Sequence, residues 1–249
     1  MTDGKFPHTL NFAPTLETII QVLKIPDLAV FLLHSPLEKD YQTRPPVIFG
    51  QGDFRHEFLS SGELDRLNGF KAMKKQVEWL CGRFALKSLV KNTLMPSQNM
   101  PERLTDISIE YREQGAPFLT SNPDHCISLS HSGLYTAAAV TLVPGITMGI
   151  DIEKIGNPPD KSFMATAFTE TEIKEMGGSP PDIFRHWTLK EAYLKYIRLG
   201  FNESLHHVEI IKDKVLHRGR TRNLTCWSRE LDHAYVLSMV SDPGFSPGP

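Results

Sequence analysis

The sequence predicts an α+β fold of two related lobes, and three observations carry that expectation. Apolar residues at helical spacing give way to short alternating strands between residues 61 and 152, and the same order of elements starts again after Gly156-Asn157-Pro158-Pro159. The 249 residues, 40% apolar and 22% charged, suffice for one large core or two smaller ones. We place the lobes at residues 1–143 and 144–241, with 1–26 as an extension of no assigned role and the Pro- and Gly-rich 242–249 as a disordered tail. The repeat lies in element order alone, because the two halves do not match residue by residue.

In chain order, residues 16–23 between Pro14 and Pro26 predict a short amphipathic helix, and the apolar run 27–34 predicts a buried strand. Glu63, Leu64 and Leu67, then Met73, Val77, Leu80 and Phe84, predict two helices from Ser61, the second ending near Leu89. Strands are expected at 107–111, 127–129, 135–142 and 146–152, with a turn at Gly115-Ala116-Pro117. In the second half, helices are expected at 161–168, 171–176 and 183–199, then strands at 208–211, 214–217, 224–229 and 234–240.

Lys and Arg (27) nearly balance Asp and Glu (29), which excludes a general attraction to nucleic acid or an anionic membrane. Cys81, Cys126 and Cys226 lie far apart without metal-ligand spacing and read as buried thiols. The most apolar stretch, 134–150, is broken by Pro144 and Gly145 and is too short for a bilayer span. With no signal pattern at Met1-Thr2-Asp3-Gly4-Lys5, a cytoplasmic location is expected.

The chemistry concentrates in a few places. A strand over 146–153 puts Met148, Ile150 and Ile152 on one face and Asp151 with Glu153 on the other. Two carboxylates that close suit a hard divalent cation, or else form a solvated strand edge. In Trp187-Thr188-Leu189-Lys190-Glu191-Ala192-Tyr193-Leu194-Lys195, Glu191 and Lys195 taken alone make an i,i+4 pair of about 0.2–0.5 kcal/mol. Ser128-Leu129-Ser130-His131-Ser132-Gly133 sets a histidine among hydroxyls, a setting able to grip phosphate or simply a structural turn. Thr169 and Glu172 fit a capping box, and Lys71, Lys74, Lys75, Arg83 and Lys87 give one helix a positive side.

Taken together and in order, Gly82-Arg83 with Leu86-Lys87, Gly115-Ala116-Pro117-Phe118-Leu119, the Ser128–Gly133 segment, Gly149-Ile150-Asp151-Ile152-Glu153, Ala167-Phe168-Thr169-Glu170-Thr171-Glu172 and the Trp187–Lys195 segment resemble the Sfp-type 4′-phosphopantetheinyl transferases from about residue 59 to 201. The resemblance implies a monomeric magnesium enzyme with its site between two lobes. It would move phosphopantetheine from coenzyme A to a serine of an acyl or peptidyl carrier protein and release 3′,5′-ADP.

It further implies Asp151, Glu153 and Glu191 around Mg²⁺, with Glu191 as base and Lys195 at the departing phosphate. Lys190, His131 and Ser130 would contact phosphate, Arg83 with Lys74 or Lys75 would reach the coenzyme's 3′-phosphate, and Glu172 matches a family acid. The family turn often reads Gly-Lys-Pro, so Ala116 removes one phosphate contact. The readings set against transfer are a non-catalytic binder of carrier proteins or coenzyme A, and a metal-dependent phosphatase or nuclease.

Overall fold

The computed structural model describes residues 9–33, 41–44, 54–94 and 103–244. It opens with an antiparallel hairpin, β1 (Thr9–Thr15) and β2 (Thr18–Lys24), where a helix over 16–23 was expected. The β-branched Ile19, Ile20 and Val22 favour the extended state, and partners on both edges bury β2 on both faces, which hides the alternation a half-buried strand would show. The apolar run after it is also reversed: it forms helix α1 (Ile25–Leu33), with Pro26 in the first turn, where the missing N–H costs nothing, and Asp27 near the positive helix start.

Helices α2 (Ser61–Asn68) and α3 (Met73–Leu94) follow, the first closed by a Ser60–Glu63 capping box. Then come β3 (Ile109–Tyr111), β4 (Pro117–Leu119), β5 (Ile127–Ser132), β6 (Tyr135–Thr141) and β7 (Met148–Lys154). The second half adds α4 (Lys161–Ala167), α5 (Glu170–Glu175), α6 (Pro180–Tyr196), β8 (Val208–Ile211), β9 (Lys214–His217), β10 (Arg220–Thr221), β11 (Thr225–Leu231) and β12 (Tyr235–Ser241). Only the two-residue β10 has no counterpart in the expected strands of this half. The fold is thus mixed α+β.

Every strand pair is antiparallel, in sheets ordered β1-β2-β6-β5, β11-β12-β7, β10-β9-β8 and β3-β4. Helix α3 covers β6 and β5 while α6 covers β7 and β12. The two larger sheets share a core in which Ile20, Val22, Ala137 and Ala139 meet Met148, Ile150, Ile152, Leu237 and Met239. The opposite face of β7, carrying Gly149, Asp151 and Glu153, is therefore turned toward α6. Among the described residues no helix is long and apolar enough to cross a membrane.

The two larger sheets meet along β5 and β7 through side chains instead of a backbone ladder. The N–H groups of Ile150, Ile152 and Lys154 donate to the hydroxyls of Ser128, Ser130 and Ser132 at 3.1, 3.3 and 3.1 Å. Met148 N–H approaches Cys126 Sγ at 3.5 Å in the same series. Every second residue of β5 thus serves as an acceptor for β7, matching the two-residue period of both strands.

Two smaller expectations change. Cys226 is only partly buried, unlike Cys81 and Cys126. Asp242 is anchored, its carboxylate accepting Thr147 N–H and Tyr196 O–H at 2.7 Å each, so the tail does not begin there; residues 245–249 lie outside the described residues.

Candidate active site

Gly149 sets the site's dimensions. A Cβ there would lie 2.2 Å from Ala192 O, 2.6 Å from Tyr196 N and 2.8 Å from Lys195 Cβ, so α6 packs directly on the β7 backbone. This approach brings Glu191 and Lys195 of α6 beside the acids of β7.

Asp151 is almost wholly buried. Its Oδ1 accepts hydrogen bonds from Ser130 Oγ at 2.7 Å and Lys195 Nζ at 2.8 Å, while Oδ2 is buried without a partner. Glu153 Oε2 accepts from Ser132 Oγ at 2.7 Å, and burial pushes its carboxyl above the ordinary range. Glu191 Oε1 is also buried and unpartnered, and burial, then the Asp151 charge, push its carboxyl up to about 7. Lys195 therefore pairs with Asp151, and not with Glu191 one turn back as helix spacing suggested; its ammonium also donates to Leu129 O at 3.3 Å.

Two orphaned carboxylate oxygens beside a third acid form a local excess of negative charge that invites a cation. Among the described residues no three His, Cys, Asp or Glu side chains make a ready-made metal cage. Mg²⁺ commonly takes one or two carboxylates and completes its shell with water and substrate phosphate, so it does not require such a cage. Asp151, Glu191 and Glu153 fit such an ion.

A cavity of about 300 Å³ lies alongside, walled by Trp79 and Arg83 of α3, Ala116 of the 115–117 turn, Leu129 of β5, and Lys195 and Arg198. Lys195 joins it to the acids. Arg83 donates to Tyr111 Oη at 2.9 Å and pairs with Glu63 at 3.3 Å. Lys74, Lys75 and His131 gather around Glu78 at 3.7, 3.3 and 3.9 Å, and burial lowers the His131 pKa.

Two residues expected at phosphate have protein partners in the structure. Lys190 is completely buried, and its ammonium donates to Ala167 O, Glu172 Oε2 and Leu205 O at 2.7, 2.7 and 3.2 Å, leaving no hydrogen for a ligand. Its partner Glu172 is equally buried, closing the Thr169 capping box and accepting Ile210 N–H at 2.9 Å. The Ser130 hydroxyl donates to Asp151 and accepts from Ile152 N–H, so it positions the acid.

Ser132, Glu78 and Arg198 belong to the site or its border and were not singled out. The alternation of Ser128, Ser130 and Ser132 was the legible signal for the first; nothing in the sequence marks the other two.

The 4′-phosphopantetheinyl transferase superfamily matches residues 147–240. The L-aminoadipate-semialdehyde dehydrogenase-phosphopantetheinyl transferase of Rattus norvegicus is 29% identical over 164 residues, 59% of this chain and 50% of that protein. The 4′-phosphopantetheinyl transferase HetI of a Nostoc species is 32% identical over 148 residues, 55% of this chain and 58% of that protein. The chain thus spans about half the length of these two curated relatives. The holo-(acyl-carrier-protein) synthase of Lactococcus lactis is 30% identical over 92 residues, 36% of this chain and 77% of that protein.

Proposed function

The chain belongs to the 4′-phosphopantetheinyl transferase superfamily, and from that premise we propose that it is a Sfp-type member, transferring phosphopantetheine from coenzyme A to a serine of an acyl or peptidyl carrier protein. The observation that carries this reading is the pair of unpartnered buried oxygens, Asp151 Oδ2 and Glu191 Oε1, next to Lys195 at the cavity wall.

In this reading the serine oxygen bonds to the phosphorus on the pantetheine side of the pyrophosphate, and the bond to 3′,5′-ADP breaks. Glu191 Oε1 receives the serine proton: like Asp151 Oδ2 it is buried without a donor, but its carboxyl is pushed up to about 7, suiting it to take a proton. Lys195, which directs two hydrogens to Asp151 and Leu129, has a third for the departing phosphate. Ser130 and Ser132 aim the acids, Arg83, Lys74 and Lys75 supply positive charge for the other phosphate oxygens, and His131 lends an imidazole N–H. Mg²⁺ held by Asp151, Glu153 and Glu191 would neutralise pyrophosphate charge when bound. We place the reaction in the cytoplasm, on a monomer whose lobes, 1–143 and 144–241, flank the site.

Intact-protein mass spectrometry of apo acyl carrier protein and an apo peptidyl carrier domain, incubated with the protein, coenzyme A and Mg²⁺, tests the proposal. A phosphopantetheine mass gain prevented by EDTA supports it. Coenzyme A binding without any gain would favour a non-catalytic binder, and coenzyme hydrolysis without a carrier would favour a phosphatase. Glu191→Gln is expected to slow transfer by about 10²–10⁴-fold without lowering the melting temperature; unchanged turnover would remove Glu191 from the chemistry.

A further inference from the structure

The cavity carries three cations and no carboxylate among its described lining residues. Arg83 is paired with Glu63, and Lys195 with Asp151. The third, Arg198, is half-buried and has no side-chain hydrogen bond or ion pair among the described residues, although a guanidinium offers five donors.

Its backbone is equally unusual. Arg198 has φ +59° at the position just beyond α6 where helices end in the left-handed conformation. Arg198 N–H donates to Lys195 O at 3.1 Å and Leu199 N–H to Leu194 O at 3.3 Å, the paired bonds of a Schellman closure. Glycine is the usual occupant of that position because any Cβ is disfavoured there. An arginine therefore holds a place where glycine is more stable, with an unneutralised charge on a cavity wall that has no acid.

We propose that Arg198 is a binding residue for a phosphate group of the coenzyme, an inference that rests on the transferase reading above. Coenzyme A carries a pyrophosphate and a separate phosphomonoester. Arg198 lies three residues beyond Lys195 and lines the same cavity, so one anion can engage both, or two anions can engage one each.

The test sets stability and affinity against each other in Arg198→Gly, with coenzyme A and 3′-dephospho-coenzyme A titrated calorimetrically into the full chain with Mg²⁺. Arg198→Gly should raise the melting temperature and weaken coenzyme A binding about ten- to hundredfold, the range of a lost charged hydrogen bond. Loss with coenzyme A alone assigns Arg198 to the 3′-phosphate, and equal loss with both ligands assigns it to the pyrophosphate. Tight binding by the unaltered protein that Arg198→Gly leaves unchanged would overturn the inference alone. No binding of either ligand by the unaltered protein would overturn it together with the reading it rests on.

Discussion

Lys190 and Lys195 are five residues apart on one helix, and the structure gives them opposite tasks. At 3.6 residues per turn, five positions rotate the side chain by about 140°. Lys190 accordingly points into the packing between α5, α6 and β8, while Lys195 reaches the acids of β7. Both are lysines of a single motif, so the sequence alone could not separate them; only the direction in which α6 meets β7 does. Lys190→Met should therefore cost about 3–5 kcal/mol by leaving Glu172 charged and unpaired in the interior. Urea unfolding measures that loss, and calorimetry on the folded fraction should find coenzyme affinity unchanged. A large affinity change with little loss of stability would return Lys190 to the ligand.

The β7–α6 pair is the element on which the site depends, and Gly149 sets its spacing. Gly149→Ala forces the helix away from the strand, since two of the three nearest atoms are backbone. Overpacking of this kind costs about 1–3 kcal/mol or more, and moving Glu191 and Lys195 from Asp151 should cut turnover as well. Chemical denaturation and the transfer assay on one preparation check the paired loss, and a fall in stability with full turnover would refute the spacing argument. These two elements were legible because β7 alternates cleanly and α6 carries a long motif. Residues 9–33 were not. Residues 16–23 satisfy helical spacing by coincidence, and from Thr18 on they form a strand because β1 and β6 supply partners on either edge. The run after them is apolar throughout, so periodicity could not distinguish helix from strand, and the telling signs were Pro26 and Asp27 at its start.

In the molecule as a whole, Glu203 is an anchor of acid tolerance outside the site. Glu203 accepts from His207 Nδ1 at 2.8 Å, His217 Nε2 at 3.0 Å and Arg218 at 3.1 Å, tying the segment after α6 to β9. The His207 and His217 hydrogen bonds hold its carboxyl down to about 2 from an ordinary 4.5. Its contribution is therefore complete above pH 4.5 and fades as the pH falls toward 2. Glu203→Gln should be less stable than the unaltered protein at pH 7, with the gap closing between pH 4.5 and 2 in urea titrations; a gap that stays constant would contradict the assignment. The architecture itself has a different safeguard, in the hydroxyls that join the two larger sheets. A slip of one residue along β5 would offer Ile127, Leu129 and His131 to the amides of β7, stranding those donors and swinging Asp151 and Glu153 off aim. The row of serines works as a keyed joint: it admits a single alignment of the two sheets, and that alignment is the one that assembles the acids.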